Sequence, residues 1–478
     1  KRKLLKLSEN LKDKLEKFYD RNLILVVEGE TNYCEYKSES EKELVERLKE
    51  RNNFTGKKGE VLSLNFIQND RLISMDILGF GKKEEISDNL FREVIFKYLS
   101  DKKGSILIST NTKELVKVEI LCEIVGNINY SFDEFKEKKS EKLDVEFFNI
   151  ELTNLEESLI LNEATDVTRN LVDLPANIIN PITLAERTVE LGKEFGFEVE
   201  VLDDNKIQEL GMNLLYSVGK ASVTKPRLIV MRYFGDRDSK DIMGLVGKGL
   251  TYDTGGLCIK PADSMMNMKD DMTGGATVIG AMCAIAKNRL KKNVVAVVPA
   301  CENAINGNSY RPGDIIKSMN GKYVEIINTD AEGRLALADA ITYIVRNEKV
   351  SEIIDVATLT GAMMVALGTF TTGVFSNRDE VYSLLEKSCS KYGERIWRMP
   401  LDEEFAEDLK SDVADLKHMG ARWGGAISAA KFLEIFAEGT PWTHMDIAGT
   451  AYNNSSKWYK KGASGVHVRG LYEYCKNR

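Results

Sequence analysis

Histidine is the scarcest reactive residue in this 478-residue chain: only His418, His444 and His467 occur, and none stands in an H-E-x-x-H spacing. A histidine-ligated zinc protease of that kind is excluded. The chain also lacks a G-x-S-x-G elbow, a G-x-G-x-x-G dinucleotide turn and a G-x-x-x-x-G-K-[ST] phosphate loop. These absences remove the plainest signals for an α/β-hydrolase, a nicotinamide enzyme and a P-loop nucleotidase. Cysteine is sparse and scattered: Cys34, Cys122, Cys258, Cys283, Cys301, Cys389 and Cys475 include no C-x-x-C pair. An odd, widely spaced set of thiols suits a reducing compartment and a cytoplasmic protein. No apolar run reaches the roughly 18 residues that a membrane-crossing helix needs. Positive charge is not in excess either, since 66 Lys and Arg against 74 Asp and Glu leave −8. That balance argues against wholesale nucleic-acid binding.

What is present describes a globular chain. Apolar residues make up 43% and charged residues 29%, enough to bury a substantial core. Length alone suggests about three domains, or two if one carries a large sheet. At the N-terminus, Leu4, Leu7, Leu11, Leu15 and Phe18 recur at helical spacing among alternating charges, which reads as an amphipathic surface helix. The next stretch is dense in Lys and Glu and holds short apolar runs. Strands are expected at Leu23–Val27, Ile73–Leu78 and Gly104–Ile108, and helices at Lys42–Arg51 and Asn89–Leu99. A helical pattern over Glu156–Leu174 stops at Pro175. The expected layout is an N-terminal α/β domain over 1–155, a linking helix over 156–175 and a larger domain over 176–478.

In that larger part, buried-strand runs at Arg227–Met231, Met243–Gly247, Asn293–Pro299, Tyr323–Asn328, Ile353–Thr358 and His444–Ala448 alternate with helical patterns at Thr273–Arg289 and Leu335–Asn347. Such alternation implies an α/β fold with a mainly parallel central sheet flanked by helices, and ligands then bind beyond the C-terminal strand ends. The most unusual segments begin at those ends: Val246-Gly-Lys-Gly-Leu-Thr-Tyr-Asp-Thr-Gly-Gly256, Met268-Lys-Asp-Asp-Met272 and Asn328-Thr-Asp-Ala-Glu-Gly-Arg334. Asp253, Asp271, Asp330 and Glu332 could therefore converge on one sheet edge. Packed carboxylates cannot all stay ionised without compensation, and two divalent cations would supply it. Oxygen-rich ligation favours Mn, Mg or Zn. Each fragment alone also has a plain explanation: Asp330 as a helix cap, Asp270 and Asp271 as a charged helix start, Gly247-Lys248-Gly249 as a flexible turn.

Taken together, the segments resemble the leucyl aminopeptidase family of dinuclear-metal cytosol aminopeptidases. The octamer Asn328-Thr-Asp-Ala-Glu-Gly-Arg-Leu335 is the most specific of them. Asp253-Thr-Gly-Gly256, Lys260-Pro261, Arg311-Pro-Gly-Asp314, Thr358-Leu-Thr-Gly361, Ser411-Asp-Val-Ala-Asp-Leu416 and Asp446-Ile-Ala-Gly449 extend the resemblance over roughly residues 165–475. It implies that Asp253 and Glu332 bridge two divalent ions, Mn or Zn with Mg as a further candidate, while Lys248 and Asp271 complete one site and Asp330 the other. It implies Lys260 as the cation that stabilises the oxyanion, and a bicarbonate near Arg334 as proton shuttle. Met268, Thr358, Gly361 and Ala448 would line the substrate pocket, together with Lys260. The implied reaction removes the N-terminal residue, Leu- or Met-like, from short peptides with a free amine. A homohexamer built as a dimer of trimers is implied as well, with no membrane or nucleic-acid partner.

Two departures stand out: Cys258 inside the metal loop, and the loop Glu302-Asn-Ala-Ile-Asn-Gly307, which lacks the Met-Pro of many relatives. A two-metal phosphoesterase would share the carboxylate logic, but only Lys260 and Arg334 offer themselves to phosphate. An assembly or nucleic-acid-binding protein with structural metals would need neither Lys248 nor Lys260.

Overall fold

The computed structural model describes residues 5–6, 19–30, 39–68, 70–110, 112–148, 150–453 and 458–478. The amphipathic helix expected between Leu4 and Phe18 lies outside them, apart from a two-residue strand at Leu5–Lys6. The chain forms two compact units, residues 1–162 with 455–460, and residues 163–454 with 461–478. It passes from the first to the second within the helix Leu155–Asp173.

In the first unit, a six-stranded sheet runs in the order Leu5–Lys6, Leu143–Phe148, Gly104–Thr110, Arg21–Val26, Arg71–Gly79, Val61–Gln68. Neighbours are parallel except for the last pair, an antiparallel hairpin. Apolar alternation places Leu23, Leu25, Ile106 and Ile108 wholly inside, each contributing about 1.5–3 kcal/mol through burial. Helix Asp88–Leu99 starts at Ser87, whose hydroxyl accepts from the Leu90 amide, and buries Phe91, Val94 and Ile95 in the same cluster.

The second unit is built on a nine-stranded sheet in the order Arg395–Arg398, Thr371–Ser376, Trp442–Asp446, Glu352–Ala357, Met243–Gly247, Asn293–Asn303, Arg227–Phe234, Glu198–Leu202, with Gly249–Asp253 added to the end of Asn293–Asn303. Its centre is parallel: Trp442–Asp446, Glu352–Ala357, Met243–Gly247 and Asn293–Asn303 all run one way. Antiparallel pairs flank it. The fold is therefore α/β, with a mainly parallel central sheet wrapped by helices. The run at Tyr323–Asn328 departs from expectation. Only Tyr323–Glu325 is strand, and it pairs with Ile315–Lys317 and Leu416–Lys417 in a separate small sheet. There the Asp415 carboxylate accepts from the Tyr323 amide, so the segment is held outside the central sheet.

Helices Thr273–Lys287 and Gly333–Asn347 lie almost entirely buried on the sheet. Their contact demands small residues: a Cβ on Gly274 would stand 2.0 Å from the Val356 carbonyl oxygen. Among the described residues, no helix is long and apolar enough to cross a membrane.

Candidate metal centre and active site

Because the central strands are parallel, their C-terminal ends deliver side chains to one edge. Lys248 follows Met243–Gly247, Asp253 ends Gly249–Asp253, Asn303 ends Asn293–Asn303, and Thr358 follows Glu352–Ala357. Asp271 comes from the 3-10 turn Met268–Met272, and Glu332 from the N-cap of Gly333–Asn347. A helix N-terminus favours an anion at that point. The Glu332 side chain makes no capping bond, which leaves it directed to other work.

Ligand atoms of Asp253, Asp271 and Glu332 lie within 4.8 Å of one another, and all three residues are buried. Lys248, 3% exposed, reaches into the group: its Nζ stands 2.8 Å from Asp271 Oδ1 and 3.1 Å from Glu332 Oε1, and donates to the Thr358 carbonyl at 2.9 Å. Room for that side chain depends on Gly333, where a Cβ would sit 2.4 Å from Lys248 Cε. Lys260 Nζ joins the other carboxylates, 2.9 Å from Asp253 Oδ2 and 2.6 Å from Asp330 Oδ1. The structure thus places Lys248, Asp253, Lys260, Asp271, Asp330 and Glu332 in one cluster. Asp330 is engaged by Lys260 rather than capping a helix.

The electrostatics are strained. Burial pushes the Glu332 carboxyl well above the ordinary carboxylate range, Asp253 adds to the rise, and Lys248 opposes it. Asp271 and Asp330 are also raised, burial being the main cause for both. Asp270 rises to about 7 through burial and the neighbouring Asp271. Burial pulls Lys248 and Lys260 downward, but the surrounding carboxylates hold both ammonium groups above their ordinary value. With all four carboxylates ionised, the two ammonium groups would leave two negative charges uncompensated, which joins burial in driving the carboxyls upward. Among the described residues, Asp271 Oδ2 and Glu332 Oε2 are buried without a hydrogen-bond donor, and Glu332 Oε1 has only the Lys248 ammonium beside it. Orphaned hard oxygens with surplus negative charge fit divalent cations.

Arg334 is buried two residues further along the same helix; its Nη1 donates to the His418 carbonyl at 3.0 Å, and its Nε has no partner among the described residues. Burial lowers this guanidinium to about 10. The expected pocket residues are placed less tightly. Thr358 Oγ1 donates to Asp271 Oδ1 at 2.9 Å. Met268 opens the turn that carries Asp271, half-buried, and Gly361 begins the helix Gly361–Leu367 in an exposed position. Ala448 is linked to the Thr358 segment through Asp446, which accepts from the Ala448 and Leu359 amides and from the Thr360 hydroxyl.

Several organising residues escaped the sequence reading. Asp446 and Thr360 position the pocket segments, and Asn303 contacts Asp253 directly, its Nδ2 donating to Oδ1 at 2.8 Å. Asn303 lies in the loop that was notable only for lacking Met-Pro. His418 and His444 are held in structural hydrogen bonds. His418 donates to the Asn328 carbonyl through Nε2 and accepts from the Ile327 amide at Nδ1, while His444 pairs with Asp355.

Comparison with known proteins agrees with this geometry. The cytosol aminopeptidase family matches through its catalytic domain at residues 166–472 and its N-terminal domain at residues 27–139. The chain is 46% identical over 468 residues to a probable cytosol aminopeptidase of Fusobacterium nucleatum, covering 97% of this chain and 98% of the relative. A probable cytosol aminopeptidase of Aquifex aeolicus is 42% identical, with 97% of each chain covered. Among solved structures, the bottromycin maturation enzyme BotP is similar with a TM-score of 0.84 at 29% identity, covering 96% of this chain and 99% of that one. The same enzyme in complex with Mn gives 0.83. The buried carboxylates at the strand ends, the lysines among them and these matches over nearly the whole chain lead to one conclusion: the protein belongs to the cytosol aminopeptidase family and is a metal-dependent hydrolase of N-terminal peptide bonds.

Proposed function

We infer that the chain removes a Leu- or Met-like N-terminal residue from short peptides, using two divalent ions held by Lys248, Asp253, Asp271, Asp330 and Glu332. The observation that carries this reading is the buried convergence of Asp253, Asp271 and Glu332, in which Asp271 Oδ2 and Glu332 Oε2 have no hydrogen-bond donor among the described residues. Asp253 and Glu332 would serve both positions, with Lys248 and Asp271 completing one and Asp330 the other. When bound, such a pair supplies Lewis acidity and a nucleophilic water at neutral pH.

The protein's own groups do the rest. Lys260, held protonated by its carboxylate neighbours, provides a fixed cation for the oxyanion that develops on the scissile carbonyl. Arg334 offers a buried guanidinium edge, its Nε without a partner among the described residues, that would hold a small anion, bicarbonate by the resemblance, and such an anion would supply proton-transfer capacity in place of a histidine. Lys248 must give up a proton to act as a nitrogen donor, which adjacent positive charge favours. Met268, Thr358, Gly361 and Ala448, with Lys260, form the side-chain pocket. Catalysis is assigned to residues 176–478, with 1–155 as a separate N-terminal domain and 156–175 as the connecting helix. Mn or Zn are the favoured ions, with Mg as a further candidate. A cytoplasmic homohexamer, a dimer of trimers, completes the proposal; the relatives' name, cytosol aminopeptidase, supports the compartment, and the hexamer rests on the resemblance alone.

The test is release of leucine from a leucyl amide or dipeptide by chelator-stripped protein titrated with Mn²⁺, Zn²⁺ or Mg²⁺, beside an N-acetylated control. Activity that returns with metal and is absent on the acetylated substrate is expected. No activity with any ion in folded protein overturns the reading. A monomer in light scattering would remove the hexamer.

A further inference from the structure

Asn303 touches no substrate position, yet it is wholly buried beside the cluster. Strands Gly249–Asp253 and Asn293–Asn303 run parallel with Asp253 directly opposite Asn303, so the amide stands at the height of the carboxylate. Its Nδ2 donates to Asp253 Oδ1 at 2.8 Å and to the Thr329 carbonyl at 3.0 Å. Both partners are acceptors only, so the amide nitrogen must face them. One side chain therefore ties the end of a central strand to the loop that carries Asp330 and Glu332.

Thr329 extends the tie. Its hydroxyl donates to the Gly255 carbonyl at 2.6 Å and accepts from the Cys258 amide at 2.9 Å, while Tyr310 donates to its carbonyl at 2.7 Å. The Asn303 carbonyl in turn accepts from the Thr254 amide and hydroxyl. With Gly255 N also donating to Asp253 Oδ1 at 2.9 Å, that oxygen is held by two neutral donors. Oδ2 is the oxygen turned to Lys260. Neutral donors orient a carboxylate and stabilise its ionised form without cancelling its charge.

We propose that Asn303 is a positioning residue for the metal centre, fixing Asp253 in orientation and fixing its distance to the Asp330–Glu332 loop, and thereby strengthening divalent-ion binding without contacting an ion. This rests on the ligand assignment above. Groups that orient metal ligands in this way typically contribute a factor of about 10–100 in affinity.

The test uses the metal-loaded full-length protein, with Mn²⁺ or Zn²⁺ affinity measured by chelator competition and metal per subunit by elemental analysis. The melting temperature of the metal-free protein is recorded alongside. Asn303→Ala is expected to weaken ion binding by about 10–100-fold, with turnover at saturating metal changed far less. Thr329→Val, which keeps the shape and removes the hydroxyl, is expected to move affinity in the same direction by a smaller factor. Should Asn303→Ala fail to fold, Asn303→Ser retains a polar group that cannot span the two partners and gives the same comparison. Unchanged affinity with a lowered melting temperature would reduce Asn303 to a packing role and overturn the proposal. Asp253→Asn separates the two readings. If it leaves affinity intact, the ligand assignment fails; if it abolishes binding while the Asn303 variants do not weaken it, the positioning role alone fails.

Discussion

The two units bury charge in opposite ways. In the first, Arg92 and Glu123 are almost inaccessible and meet in a bidentate pair, with Arg92 Nη2 3.0 Å and Nε 3.1 Å from Glu123 Oε2. Arg21 likewise meets Asp76 at 2.6 Å. Both of these carboxylates have a cation beside them. In the second unit, Lys248 and Lys260 are divided among four carboxylates. Matched burial needs nothing from outside the chain, whereas surplus burial is tolerable only where something else supplies the missing charge. The difference separates a structural ion pair from a metal centre, although both are built from Asp, Glu and basic residues.

Substitutions can break that contrast, and the largest effect is expected at Glu332. Glu332→Gln should lower turnover by roughly 10³-fold or more and reduce bound metal; wild-type metal content would show that its oxygens are not ligands. Lys260→Ala should cost about 10²–10³ in kcat while metal content stays the same, and unchanged turnover would remove its role at the oxyanion. In the first unit, Arg92→Met leaves Glu123 buried and alone, at a cost of about 3–5 kcal/mol in stability. Replacing Arg92 and Glu123 together by leucines should be much milder, because no unpaired charge remains. Denaturant unfolding distinguishes the two, with metal content per subunit unaffected in any variant that folds.

A smaller, graded effect is expected from pH. Burial lowers His418 and His467 from the ordinary 6.5 to about 3, so both are neutral in the folded chain. A depressed value means that their contribution is fully present above pH 6.5 and is lost as pH falls from 6.5 toward 3. At pH 5 each histidine would have forfeited about 2 kcal/mol. The imidazole NMR signals of both residues in the folded protein should stay in the neutral form down to pH 5. Protonation of either near the ordinary 6.5 would contradict the buried neutral state.

Much of the site was legible before the fold because its residues sit at strand ends flanked by glycine, where apolar runs stop abruptly and acids begin. Lys248 and Asp253 are separated by five positions, and Asp330 and Glu332 by two. Local pattern carries such information well. The strands at Val61–Gln68, Leu143–Phe148 and Thr371–Ser376 were not legible, since their mixed polar texture does not distinguish an edge or covered strand from a loop. Asn303 was missed for a related reason: an asparagine after a strand is ordinary turn chemistry until its partner is known.

The alternation of apolar runs with helical patterns was sufficient to determine the α/β class, because it follows from local periodicity, whereas the reaction class came from the resemblance of short segments to the leucyl aminopeptidase family. Tertiary structure alone decided that Asp415 and its neighbours hold Tyr323–Glu325 outside the central sheet, that Lys248 passes over Gly333, and that Asn303 faces Asp253 across a strand pair. Those outcomes depend on register and close approach between segments 50 or more positions apart. Such contacts form only when the whole sheet closes, and no local signal encodes them.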